Sequence, residues 1–275
     1  MVGLAALVVL PPAALGRTPG PTESLGKAKG LEYVRAKSEG VVSQDGAPAD
    51  CDAERSATGG GGQISGNPED AFLNATYPTQ LSADGWQAEG TTTGSARTVT
   101  TYGVCGPDEV TYVASAGFVI GEGNAYAPNN ACPGDAMATG GGVRGEGGNL
   151  LIVRTQWSLP PSTPDWTSVV QNAPGTGDST VTSFAGCSAD YDLRYRKSKA
   201  EVRANRAGKA IVKCKTGEAV TGGGLDFPTY NSWAYATRPW DSKDRKKVPE
   251  DGWLVRHYNG NALPYELTAF AVCKR

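Results

Sequence analysis

Apolar and small residues alternate with larger ones along three segments that end in cysteine. In the segment from Val99 to Cys105, strict alternation puts Val99, Thr101, Gly103 and Cys105 on one face and Thr100, Tyr102 and Val104 on the other. The segment ending at Cys187 sets Val181, Ser183, Ala185 and Cys187 opposite Phe184. The one ending at Cys273 sets Leu267, Ala269, Ala271 and Cys273 opposite Phe270. One face is small and carries the cysteine; the other carries an aromatic. Neither reads as solvated, so each segment is expected to be a central strand packed on both sides, with the strand of the preceding cysteine as its neighbour. No window of three turns keeps a 3.6-residue period, so almost no helix is expected.

The alternation belongs to a longer repeat of about eighty residues. Ala57-Thr58-Gly59-Gly60-Gly61, Ala138-Thr139-Gly140-Gly141-Gly142 and Val220-Thr221-Gly222-Gly223-Gly224 each follow a cysteine, at Cys51, Cys132 and Cys214. Leu31-x-Tyr33, Val110-x-Tyr112 and Leu193-x-Tyr195 open the copies, and Trp86, Trp166 and Trp253 start a later strand in each. The copies run 31–109, 110–192 and 193–275, each reading as five strands, the second of which carries the cysteine to the glycine triplet. A period this long needs one supersecondary unit per copy. A lone five-stranded sheet would expose a whole apolar face. The expectation is therefore an all-β protein whose three repeats share one pseudo-threefold, prism-like assembly.

The glycine triplets lack the following Lys-Ser/Thr and helix that a phosphate loop requires. They read instead as places where another backbone comes close, facing one another where side chains would not fit. Asp84, Asp165 and Asp251 precede the repeated tryptophans. A carboxylate pair could serve glycoside hydrolysis, but Asp-Gly before a strand is first a turn signal.

Six cysteines allow fifteen pairings. Symmetry favours Cys51–Cys105, Cys132–Cys187 and Cys214–Cys273, each within its own copy. Such bridges imply an oxidising compartment. Zinc is a poor fit, with no close pair of cysteines and His257 the one histidine; no metal or other cofactor is expected. Residues 1–16, with an apolar run from Leu4 to Leu10, resemble a secretory signal lacking its usual basic start, and 17–30 read as a linker. The run is too short to span a bilayer, so a secreted or wall-associated protein is expected.

The repeat resembles one common in secreted actinobacterial proteins of unassigned function: Cys-Pro-x-Gly, a Gly-Gly-Gly triplet, Gly-Trp, and a final aromatic-Ala-Val-Cys. Cys132-Pro133-Gly134 and Phe270-Ala271-Val272-Cys273 come closest; Cys51-Asp52 and Cys214-Lys215 depart from it. Similar single domains in that family follow collagen-like tracts, which implies a trimer-forming module and makes three tandem copies resemble its covalent version.

Net charge is −2, but residues 193–275 hold 17 of the 26 Lys and Arg and only 8 of the 28 Asp and Glu. That asymmetry fits a basic patch for a polyanion, or a basic copy docked between acidic ones. Two clusters stand out: Arg194, Arg196, Lys197 and Lys199, and, inside an insertion running from Trp240 to Val248, Lys243, Arg245, Lys246 and Lys247. Trp233 and Trp240 flank the insertion and could stack on sugars. Function should lie where the copies differ, so the candidate ligand-binding set is Trp233, Arg238, Trp240, Arg245, Lys246 and Lys247. The expectation is a non-enzymatic secreted binding or cell-surface module for a polysaccharide or anionic cell-wall polymer, monomeric and without specific nucleic-acid binding. A purely structural assembly module is the alternative. A carboxylate-dependent glycan hydrolase is third, since no Gly-x-Ser-x-Gly elbow accompanies His257.

Overall fold

The computed structural model describes residues 20–79, 84–147, 150–157 (backbone only), 165–228, 231–242 and 247–275. The signal segment expected over 1–16 lies outside them. The described residues form 21 strands and no helix. Up to the first closing cysteine run β1 (Glu23–Ala28), β2 (Leu31–Val41), β3 (Ala49–Asp50), β4 (Ser56–Ile64), β5 (Ala71–Pro78), β6 (Gly85–Thr92) and β7 (Arg97–Gly106). Copy two holds β8 (Thr111–Ala114), β9 (Phe118–Ile120), β10 (Ala125–Tyr126), β11 (Asn129–Asn130), β12 (Met137–Glu146), β13 (Leu150–Trp157), β14 (Trp166–Asn172) and β15 (Ser179–Ser188). Copy three holds β16 (Leu193–Val202), β17 (Arg206–Lys213), β18 (Ala219–Asp226), β19 (Ser232–Trp240), β20 (Gly252–Asn259) and β21 (Tyr265–Lys274).

These strands make three seven-stranded sheets, and no sheet belongs to one copy. Sheet I is ordered β1-β2-β7-β4-β19-β20-β17. Sheet II is β3-β6-β5-β12-β15-β8, with β9 also on β15; sheet III is β10-β14-β13-β18-β21-β16, with β11 also on β14. Each copy gives its opening, glycine and closing strands to one sheet and sends a hairpin, β5–β6, β13–β14 or β19–β20, into the next. Copy one's hairpin enters copy two's sheet, copy two's enters copy three's, and copy three's returns to copy one's. The exchange is closed.

Side-chain hydrogen bonds run round the same cycle. Thr139 donates to the carbonyl of Thr58 (2.7 Å), Thr58 to that of Thr221 (3.0 Å) and Thr221 to that of Thr139 (2.9 Å). The opening-strand tyrosines do likewise, Tyr33 to Val220 (2.8 Å), Tyr112 to Ala57 (3.0 Å) and Tyr195 to Ala138 (2.9 Å). A backbone carbonyl buried without a partner would be costly, so these hydroxyls satisfy groups that strand pairing leaves open.

The glycines of each triplet have separate reasons. A Cβ on Gly59, Gly140 or Gly222 would press on the threonine carbonyl of another copy. One on Gly60, Gly141 or Gly223 would enter the ring of Trp86, Trp166 or Trp253. One on Gly61 or Gly142 would strike the carbonyl of Thr237 or Thr76, where the incoming hairpin crosses. The three tryptophans are fully buried, and the indole N–H of Trp86 and of Trp253 donates to Thr76 Oγ1 (2.6 Å) and Thr237 Oγ1 (2.8 Å).

All three disulfides take the symmetric pairing, Cys51–Cys105, Cys132–Cys187 and Cys214–Cys273. Three expectations need correction. The copies do not hold five strands each: among the described residues six, eight and six fall within 31–109, 110–192 and 193–275. The first cysteine is not carried on the glycine strand: Cys51 precedes a turn and β4 begins at Ser56, because the chain is there changing sheets, from β3 in sheet II to β4 in sheet I. The closing strand β7 therefore lies between β4 and the opening strand β2. Nor is 17–30 all linker. Glu23–Ala28 is β1, folded onto β2 through Lys29 and Gly30, both at positive φ (52° and 79°), as a two-residue primed hairpin turn demands.

Candidate functional site

Register decides which side chains share a face of sheet I. Directly paired residues point the same way. One row therefore runs straight across six strands: Lys37, Thr100, Gln63, Ala236, Arg256 and Lys209. The neighbouring positions add Arg35 opposite Tyr102, Arg238 opposite Leu254, and both Trp240 and Lys213 opposite Gly252. The other face carries Val99, Thr101, Trp253, Val255 and His257, all fully buried. The face bearing the cations is thus the outer one.

Glycine shapes this surface twice. Gly61, paired with Tyr102, presents no side chain, and the Arg238 guanidinium reaches over the Tyr102 ring at 5.2 Å. Gly252 lies between Lys213 and Trp240, whose ammonium and indole meet at 5.3 Å. Both are cation–π contacts. Arg238 also donates to Gln63 Oε1 (2.8 Å) and to the Pro239 carbonyl (2.9 Å). Burial, together with the like charge of Arg256, lowers the Arg238 pKa from its usual value.

The charge is one-sided. Arg35 is ion-paired with Glu23 at 2.8 Å; among the described residues no ion pair engages Lys37, Lys209, Lys213, Arg238 or Arg256. Among the described residues, Glu39, towards the end of β2, is the other acid on this face. On the outer faces of the other sheets, Arg144 is paired with Glu146 at 2.8 Å on sheet II and Lys199 with Glu266 at 2.6 Å on sheet III, while Lys197 has no ion pair among the described residues. The cluster read at 194–199 is largely paired in the same way: Arg194 meets Asp192 at 2.6 Å. Arg196 grips Glu218 at 2.6 Å, where burial raises the carboxyl's pKa but the guanidinium's hydrogen bonds and charge outweigh it and hold it low.

Trp233, Arg238 and Trp240 lie on one strand, β19. Neither tryptophan is fully exposed. Trp233 donates to the Pro68 carbonyl (2.7 Å) and packs on Tyr258, with ring centroids 5.0 Å apart. Arg245 and Lys246 lie outside the described residues. Lys247 is exposed at φ 58°, and its neighbour Val248 is buried with Leu25 and Tyr33, so the insertion's end is anchored against copy one. Asp251 accepts from the Ser242 amide (2.8 Å), pinning the other side. The cations missed in the sequence, Lys37, Lys209, Lys213 and Arg256, come from other strands. Lys209-x-Ile211-x-Lys213, alternating with buried Ala210 and Val212, was the available signal.

Asp84 and Asp251 engage the backbone where the chain turns: their carbonyls accept from the amides of Cys51 (2.8 Å) and Cys214 (2.9 Å). His257 is fully buried against Phe227, with Nδ1 bonded to the Tyr265 hydroxyl at 2.5 Å. No protein-family model matches the chain, and no curated protein matches it.

Proposed function

We propose that this chain is a non-enzymatic binding module, acting outside the cytoplasm, whose ligand is an anionic glycan or wall polymer held on the outer face of sheet I. One observation carries the reading. Six cations share a face on which one acid is already paired and a second sits at the rim, beside half-buried Tyr102, Trp240 and Trp233. Unpaired like charges repel one another, and a bound polyanion relieves that repulsion. Tyr102 and Trp240 hold Arg238 and Lys213 in place through cation–π contacts, which fixes two of these charges on the face. Three disulfides suit an oxidising compartment, and none of the described helices is long and apolar enough to cross a membrane, there being none.

The test is a glycan and polyanion array at low and at physiological salt. The reading expects binding to acidic polymers, weakened as the screening length falls to about 8 Å, and lost in Arg238→Ala with Arg256→Ala. Silence towards every acidic polymer at low salt would overturn it.

A structural assembly module is the second reading, favoured by the closed exchange of hairpins. That exchange supports a pseudo-threefold, prism-like arrangement built to hold together, and the resemblance to trimer-forming modules points the same way. On this reading the array stays silent and truncating the face leaves every measurable property unchanged.

A further inference from the structure

The row of Lys37, Thr100, Gln63, Ala236, Arg256 and Lys209 runs perpendicular to the strands, and its cations sit at its ends rather than at its centre. From β2 to β17 there are five strand spacings of about 4.8 Å, so Lys37 and Lys209 stand roughly 24 Å apart along the sheet. Between them the row is polar and small, and Arg238 with Tyr102 occupies the adjoining position. A compact anion can reach one end of this arrangement but not both. Lys37 and Lys209 are exposed, and both are strand-borne, so their Cα positions are fixed by the ladder.

Resting on the binding reading above, we infer that the ligand is an extended anionic polysaccharide lying across the strands of sheet I, from copy three's edge strand β17 over hairpin β19–β20 to copy one's β2. The polymer's charged groups meet Lys209 and Arg256 at one end, Arg238 in the middle and Lys37 at the other. The site thus spans the seam where the first and last copies join, and neither copy holds it alone. A glycan is favoured over single-stranded nucleic acid because the aromatic rings are taken up by cations or by another ring: Tyr102 lies under Arg238, Trp240 under Lys213, and Trp233 is tilted against Tyr258. Bases need open ring faces in succession; sulfate, phosphate or carboxylate groups on a sugar chain need the cations.

The experiment is a length series of heparin fragments titrated against the full chain at low salt, followed by tryptophan emission or calorimetry, with inorganic sulfate and a single-stranded DNA of matched charge alongside. Affinity is expected to climb steeply with length until the fragment spans about 24 Å and then to flatten. Lys37→Ala and Lys209→Ala should each weaken long fragments about tenfold and short ones by about twofold at most, since a short fragment can still seat at the opposite end, with melting temperatures unmoved because both side chains are exposed. Lys197→Ala with Lys199→Ala, on sheet III, should do nothing. Binding without length dependence, or equal losses for short and long fragments, would overturn the crossing while leaving an anion-binding face in place. DNA binding as tightly as heparin would overturn the glycan assignment. If no polyanion binds, both readings fall together.

Discussion

Single atoms decide whether the three copies can meet. A methyl group on Gly140 would sit 2.9 Å from the Thr58 carbonyl oxygen and 3.1 Å from the Gly59 Cα, so both backbones would have to part. Gly140→Ala is expected to destabilise the fold by about 2 kcal/mol or more, as overpacking does, and to loosen the Thr139–Thr58 hydrogen bond. Gly134→Ala, in open space at φ 58°, should lose only about 1 kcal/mol through backbone strain. Thermal melts of the two variants compare them, and equal losses would mean that the threonine cycle carries no packing strain. His257 gives a second test. Burial presses its pKa from 6.5 down to about 3. The unfolded chain therefore binds a proton below pH 6.5 that the folded chain refuses, and stability falls with pH by about 1.4 kcal/mol per unit through that window. Glu32 and Glu218, held low by their partners despite burial, add acid lability nearer pH 4.5, while Glu89, raised by burial, works the other way. Comparison with His257→Gln isolates the histidine: denaturant titrations between pH 6.5 and 5 should slope in the parent and lie nearly flat in the variant.

Among the elements, the closing strands and hairpins divide the labour. Each disulfide closes a loop of 54 to 59 residues, and the hairpin that leaves for the next sheet lies inside that loop. On the chain-entropy account, replacing Cys132 and Cys187 by Ala should remove about 4 kcal/mol. Urea unfolding of the double variant checks this, and a loss below about 1 kcal/mol would mean the exchanged hairpins alone restrain the unfolded chain. Strand identity and disulfide pairing were legible in the sequence because alternation and spacing recur in every copy, so that three weak signals at Cys105, Cys187 and Cys273 reinforce one another. The exchange of hairpins was not legible. Whether the second edge of β5 meets β4 of its own copy or β12 turns on the ladder pair Val143–Thr76 and on the gap left by Gly142, and neither alters local periodicity. The cationic face was half legible for the same reason. Trp233, Arg238 and Trp240 share one strand and could be read together, whereas Lys37 and Tyr102 join them only through the pairing of β19 with β4.

For the whole molecule, the cores are shared property. Leu31, Tyr33 and Val104 from copy one pack among Val220, Leu225, Trp253 and Leu267 from copy three, and Val99 and Ile64 pack with Val143, Val170 and Val181 from copy two. A protease cut within 107–110, between copies one and two, should therefore leave the pieces associated through β5–β12 and the threonine and tyrosine bonds. Size-exclusion chromatography of the nicked protein under non-reducing conditions checks this, and separation of the fragments would show that chain continuity, not the exchange, holds the copies together.

The closed exchange also limits what gene duplication can do with this chain. A solenoid can gain or lose a repeat because each unit touches only its neighbours. Here a fourth copy would find every sheet already holding its incoming hairpin, and a lost copy would leave one sheet without its body and another without its guest. Variation among descendants should therefore fall on loops such as the Trp240–Val248 insertion and on outer faces such as that of sheet I, while the number of copies stays at three.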